Sequence, residues 1–142
     1  FVIELSKKNK VSGNNTSGNL DEGIQIQGDK NRVTGNTATG NGDDGINVVG
    51  GDKNKLSGNT ATGNGEEGFD IAGTKNTLRD NTATGNGTRG IDVDGTKNKI
   101  TGNTASGNIG GPDAIDAAGP SGCRRNKWRG NTFGTRFPDC LK

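Results

Sequence analysis

Apolar side chains stand along this chain singly or in alternating pairs, and the pairs recur at a nearly fixed interval. Ile24 and Ile26, Ile46 and Val48, Phe69 and Ile71, and Ile91 and Val93 each bracket one polar residue. Alternation of this kind marks a short strand with one face turned inward. A lone apolar residue follows in each unit (Val33, Leu56, Leu78, Ile100), and after it an alanine flanked by hydroxyl residues (Ala38, Ala61, Ala83, Ala105). Aligned on itself, the chain starts its coils at Gly23, Gly45, Gly68, Gly90 and Ala114, with spacings of 22, 23, 22 and 24 residues. The consensus reads G-I-x-V-x-G-x-K-N-x-I-x-G-N-T-A-T-G-N-G.

Self-similarity at such a period is the signature of a solenoid, in which each unit buries its apolar face only against its neighbours. Three short strands per coil predict a roughly triangular tube, with each strand hydrogen-bonded to its equivalents one rung, about 4.8 Å, above and below. The expected fold is all-β: a right-handed parallel β-helix of about six coils, handed as parallel crossovers generally are. Left-handed hexapeptide helices would need a six-residue apolar period, which is absent. Residues 1–122 are assigned to the coils and 123–142 to a C-terminal cap. Trp128 and Phe133 stand where earlier coils have Ile100 and Ala105, and with Phe137 they concentrate aromatic bulk as a plug. The chain opens inside a strand, at Phe1-Val2-Ile3, which reads as a piece of a longer chain with an open first coil, a route to end-to-end self-association.

Asparagine recurs in three columns at the corners: Asn31, Asn54, Asn76 and Asn98; Asn36, Asn59, Asn81 and Asn103; Asn41, Asn64, Asn86 and Asn108. An amide carries donors and an acceptor, so stacked Asn side chains are expected to face inward and satisfy one another and the turn backbone. Composition makes that arrangement necessary. Leu, Ile, Val and Phe supply only 24 of 142 residues, a level at which disorder would be the default without the repeat. The 18 basic and 16 acidic residues nearly cancel, so self-repulsion gives no reason to stay extended. No apolar run is long enough to span a membrane.

Cys123 and Cys140, the two cysteines, are expected to pair as a disulfide closing the cap, which would place the protein outside the cell or in a periplasm. Two Cys and no His do not make a zinc site. No cofactor is expected.

With G-N-G-E-E-G-F-D-I-A-G and G-N-G-T-R-G-I-D-V-D-G on the page, the chain resembles the parallel β-helix repeat proteins of the pectin-lyase-like superfamily. That superfamily includes polysaccharide lyases, alginate epimerase catalytic modules and NosD-like periplasmic proteins. The resemblance covers the whole chain but rests on scaffold residues, so it implies fold rather than activity. Gly68-Phe69-Asp70 is similar to the start of the epimerase signature Y-G-F-D-P-H, yet Glu67 precedes it and Ile71-Ala72 follow. With no His and no Tyr in the chain, the acid–base pair that the resemblance implies is missing. Triads and Cys–His pairs fail for want of His as well. A lyase could use Arg as base, and Arg89 near Asp92 is the one arrangement of that kind; the chain otherwise points away from catalysis.

Three outward stripes remain. Asp70, Asp92 and Asp116, with Asp94 beside them, are expected to stack outside the first strand, as a solvated acidic face or as calcium ligands. A paired-carboxylate glycosidase is a further use of the same residues. Each third strand reads T-x-T (Thr37 and Thr39, Thr60 and Thr62, Thr82 and Thr84, then Thr104 and Ser106), which resembles the threonine arrays of β-helical ice-binding proteins and also suits any exposed strand. At the corner after the first strand, Lys8, Lys30, Lys53, Lys75, Lys97 and Arg125 precede the column Asn, and Lys10, Arg32, Lys55, Lys99 and Lys127 follow it. Such stripes either keep the tube soluble or bind an extended polyanion. Of these, Lys30, Arg32, Lys53, Lys55, Lys75, Lys97 and Lys99 are the expected polyanion-binding set, with acidic polysaccharide as the partner. Nucleic acid is disfavoured because no aromatic side chains interleave to stack bases. The rival functions are a structural or ice-binding scaffold and a fragment of a lyase- or epimerase-like enzyme.

Overall fold

A computed structural model describes residues 2–3, 7–118, 125–139 and 141. Three strands per coil are present, as expected. The first sheet holds β1 (Val2–Ile3), β4 (Ile24–Ile26), β7 (Ile46–Val48), β10 (Phe69–Ile71), β13 (Ile91–Val93), β16 (Ala114–Asp116) and β19 (Arg136–Phe137). The second holds β2 (Lys10–Ser12), β5 (Arg32–Thr34), β8 (Lys55–Ser57), β11 (Thr77–Arg79), β14 (Lys99–Thr101) and β17 (Lys127–Arg129). The third holds β3 (Asn15–Ser17), β6 (Thr37–Thr39), β9 (Thr60–Thr62), β12 (Thr82–Thr84), β15 (Thr104–Ser106) and β18 (Thr132–Phe133). All ladders are parallel, and each strand pairs with the strands one coil away. β17, β18 and β19 extend all three sheets into the 123–142 segment.

The core follows from the strand pattern. Each first-sheet strand from β4 to β13 turns two side chains inward, and each regular second- and third-sheet strand turns one, the third being alanine. Four inward residues per coil therefore fill a narrow tube, and a small residue on the third sheet lets it close. Trp128 and Phe133 replace Ile100 and Ala105 in register, their rings edge to face with centroids 5.8 Å apart. Leu141 joins this end of the core, fully buried. Stacked corners allow no side chain at some positions: a Cβ on Gly65 would run into the Gly42 carbonyl.

The asparagine columns face inward as expected. Asn81 Nδ2 donates to Asn103 Oδ1 (2.9 Å) and to the Leu56 carbonyl one coil below (3.1 Å), while its backbone N–H also reaches Asn103 Oδ1 (2.9 Å). Asn59, Asn36 and Asn14 repeat the link towards the N-terminus. Asn31, Asn54, Asn76 and Asn98 are buried in the first column, where each backbone N–H donates to the next Oδ1 at 2.7–2.8 Å. Asn41, Asn64 and Asn86 are buried in the third column, with Asn108 half-buried above them. This column ends on Asp113, whose Oδ1 accepts from the Asn108 amide at 2.6 Å. Burial works to raise the Asp113 pKa, but hydrogen bonds from Asn108 and Thr135 overcome it and leave the carboxyl below its ordinary value.

The last coil corrects one expectation. Ala114 pairs with Ile91 rather than with Gly90, so Asp116 falls opposite Val93 and points inward. It does not join Asp70 and Asp92 outside. Buried there, it accepts hydrogen bonds from Trp128 Nε1 (2.9 Å) and Asn126 Nδ2 (3.1 Å). The Trp128 indole N–H is a donor that the aliphatic residues at its register position, Ile100 and Leu78, cannot supply. Cys123 and Cys140, expected to form a disulfide, lie outside the described residues.

Candidate functional site

The most regular chemistry on the surface is the outer face of the second sheet. Its leading column runs Lys10, Arg32, Lys55, Thr77, Lys99, Lys127, and the neighbouring column runs Ser12, Thr34, Ser57, Arg79, Thr101, Arg129. The cationic column lapses once, at Thr77, and on that same strand Arg79 supplies the missing charge. Every rung of the sheet therefore carries at least one cation, and no carboxylate projects from any of its strands. Two shallow recesses lie on this face. One is lined by Arg32, Lys55, Leu56, Ser57, Thr77, Arg79 and Lys99, the other by Lys99, Thr101, Lys127 and Arg129.

The structure thus brings Arg32, Lys55 and Lys99 of the expected set onto one flat surface. Arg79 and Arg129 belong to it too but were missed by reading the Asn-flanking positions alone. Aligning the coils two residues beyond each of those cations exposes them.

Lys30, Lys53, Lys75 and Lys97 stack on the adjoining corner, all exposed, with Lys8 below them. All five have left-handed backbone, with φ between 58° and 63°. At the other two corners glycine usually holds the left-handed position, as at Gly35 and Gly58 or Gly40 and Gly63. A residue with a Cβ costs roughly 1–2 kcal/mol more than glycine there, so lysine is kept at a cost to stability. The corner is partly neutralised at its N-terminal end. Asp29 pairs with Lys7 at 3.0 Å, and its carboxyl is held below the ordinary value by the Asp52 backbone N–H and by Lys7.

A second constellation occupies the corner between the third and first sheets. Asp21, Asp43 and Glu66 form one column there and Glu22, Asp44 and Glu67 another, ending at Thr88 and Arg89. Asp70 and Asp92 continue it onto the first sheet, stacked in register as expected, with Asp94 exposed beyond them. Asp44 is buried, accepting from the Glu67 N–H (2.9 Å) and Asn47 Nδ2 (2.8 Å), and burial pushes its carboxyl up to about 8. Burial likewise raises Asp92 to about 7 and Asp70 to about 6, with Asp94 adding repulsion to both. Oxygens of Asp43, Asp44 and Glu66 lie within 4.8 Å of one another, an all-oxygen set of the sort hard cations take. Asp92 Oδ1 is buried without a hydrogen-bond partner.

Arg89, marked in the sequence as the one arginine placed to act as a base, donates from Nη1 to Asp92 Oδ2 (2.7 Å) and Glu67 Oε1 (3.1 Å). Both contacts tie the guanidinium to carboxylates of its own chain, so Arg89 anchors the acidic corner to the first sheet.

The third sheet carries the hydroxyl columns. Thr37, Thr60, Thr82 and Thr104 are in register, as are Thr39, Thr62, Thr84 and Ser106, and no charged residue stands in these strands. Thr62 and Thr84 share a hydrogen bond of 3.2 Å. No helix among the described residues is long and apolar enough to cross a membrane.

Three parallel sheets wound from short repeating strands, with asparagine ladders inside, define a β-solenoid. Residues 1–133 match the family described as the right-handed β-helix region, and the chain belongs to that family. No curated protein and no solved structure matches it.

Proposed function

We propose that the protein is an exported β-helix module that binds an extended acidic polysaccharide along the second sheet and its lysine corner. The observation that carries this reading is the unbroken series of at least one cation per rung, in which Arg79 replaces the charge lost at Thr77. Scattered lysines kept only for solubility need no such replacement. Rungs about 4.8 Å apart lie close to the advance of one sugar in an extended uronate chain, so successive carboxylates meet successive cations. Each exposed pair contributes little alone, and affinity comes from many acting together. The left-handed lysines support the same reading, because glycine would be the more stable choice at that corner. Titration against alginate, pectate and a neutral glucan at two salt concentrations tests it: the acidic polymers bind and the glucan does not.

The uncharged third sheet favours a second reading, an ice-binding face. In a chain with 24% charged residues, four rungs of Thr, Ser and Ala from β6 to β15, continued without charge by Asn15 and Ser17 of β3, are unlike the other two faces. Thermal hysteresis that disappears in Thr60→Lys/Thr82→Lys would support this second use.

A further inference from the structure

We infer that tubes of this protein associate side by side, the acidic ridge of one copy seated on the cationic second sheet of the next. The inference goes beyond the polymer reading and gives the same cationic face a second occupant. Going round one coil, the chain passes the acidic corner, the first sheet, the lysine corner, the second sheet, the second Asn corner and the third sheet. A corner joining the third sheet to the first is opposite the second sheet in a three-sided tube. Acidic ridge and basic face therefore point in opposite directions.

Among the described residues, the ion pairs that touch the two stripes are Arg79–Asp80 and Arg89–Glu67, and the other charges of both stripes have no ion-pair partner. Of the seven cations on the second sheet, only Arg79 has an ion-pair partner among the described residues, Asp80 at 3.0 Å, where both side chains are largely exposed. On the ridge, the Glu66 N–H donates to the Asp43 carbonyl at 3.2 Å, which stacks the two carboxyls, so like charges crowd each other and Glu66 holds its proton more tightly than an isolated carboxyl. A row of cations brought against the ridge relieves that repulsion. Both stripes have the same rung spacing because both are read from the same coils. Placing a second copy beside the first, without rotation, sets Asp21 and Glu22 against Arg32, Asp43 against Lys55, and Glu66 against Arg79. Arg89, at the next rung, already has Glu67 and Asp92 and adds no unpaired charge.

A contact between two different patches related by a simple translation does not close on itself. The product is an open row of parallel tubes, growing with concentration and dissolved by salt. Its energy comes from several weak exposed pairs acting together.

Sedimentation velocity of the full chain, without polymer, over a tenfold concentration range tests this. At low ionic strength the weight-average sedimentation coefficient rises with concentration, and moderate salt returns it to the monomer value. Asp43→Lys/Glu66→Lys and Arg32→Glu/Lys55→Glu should each remain monomeric alone, and an equimolar mixture should associate again, because each variant then meets a face of opposite sign. Circular dichroism of each variant checks that the fold is intact. Wild-type protein that stays monomeric at low salt overturns the inference. So does a mixture that fails to associate, or association that needs added calcium and is lost with a chelator. The Asp43→Lys/Glu66→Lys variant retains the second sheet, so loss of polymer binding by the wild type and loss of self-association are separate results.

Discussion

Trp128 donates its indole N–H to Asp116 Oδ2 at 2.9 Å, at an inward position that β4, β7, β10 and β13 fill with Ile26, Val48, Ile71 and Val93. The bond explains how a carboxylate comes to occupy an inward strand position, since Asn126 Nδ2 engages its other oxygen at 3.1 Å. Asp116→Ala leaves the indole N–H buried and unpaired, while Asn126 Nδ2 keeps its bond to the Gly95 carbonyl at 2.8 Å. A loss of about 1–3 kcal/mol in denaturant melts is expected, whereas Asp94→Ala, at an exposed position, should change stability by less than about 0.5 kcal/mol. Equal effects would return Asp116 to the outside of the tube.

The Asn ladder makes a second prediction about stability. In Asn81→Asp the oxygen replacing Nδ2 would face the Leu56 carbonyl and Asn103 Oδ1, two acceptors at 3.1 and 2.9 Å, with no proton to offer either. A buried, unmatched charge should cost more than about 3 kcal/mol. Thr82→Asp, one residue further along and partly exposed, should cost far less. Urea melts of the two variants side by side check the difference.

Much of this architecture was legible because a repeat turns one observation into five. The i, i+2 pairs such as Ile91 and Val93, the lone Ile100 and the alanine at 105 each mark one strand, and the Asn columns mark the corners. Legibility failed where the repeat itself failed. Between Ile109 and Trp128 the coil lengthens, Ala114 was aligned with Gly90, and a one-residue slip exchanged the two faces of a strand, sending Asp116 outward. Leu141 gave no signal, because a single leucine beyond the last strand has no period to belong to. On the cationic face the column flanking the Asn residues was visible, but the compensation of Thr77 by Arg79 appears only once the register across strands is known. The raised carboxyls depend on burial, at the corner for Asp44 and on the first sheet for Asp70 and Asp92, which the sequence pattern shows only as acidic residues at polar positions.

Those carboxyls give a pH dependence with a definite sign. Asp44 is raised from an ordinary value of 3.8 to about 8 and Asp92 to about 7, so the folded chain holds protons that the unfolded chain releases. Their contribution to stability is fully present below the ordinary value of 3.8, declines above it, and is lost as pH rises through about 8. Asp29 and Asp113, both lowered, act oppositely and only below the ordinary carboxyl value. Asn47 Oδ1 is buried without a partner, and an amide turned over would present it to a proton carried by Asp44. Asp44→Asn supplies that donor permanently. Wild-type Tm at constant ionic strength should fall by about 5 °C or more from pH ~5 to pH ~8.5, and the variant should flatten most of the slope. A wild-type Tm that rises across this range contradicts the assignment.

Polymer binding tests whether the cationic face acts as one surface. If Lys55, Arg79 and Lys99 meet successive carboxylates of a single chain, affinity should grow steeply with the number of sugars, since later contacts form at high effective concentration. Increasing salt should weaken binding, because exposed charges are screened over about 10 Å at 0.1 M. Lys55→Glu/Arg79→Glu interrupts two adjacent rungs and should reduce affinity for long alginate at least about tenfold, a little over 1 kcal/mol. The fold should survive, because exposed charges contribute little to stability. Arg79→Thr alone is the sharper variant: it restores the gap at Thr77 and leaves every residue of the lysine corner in place. If Arg79 completes the series, long polymers should lose severalfold in affinity and oligomers too short to cross that rung should lose nothing. Equal losses for both lengths would mean that Arg79 attracts polyanions only as one more positive charge, and no loss for either would remove it from the binding face. Isothermal titration with size-fractionated oligouronates separates these outcomes.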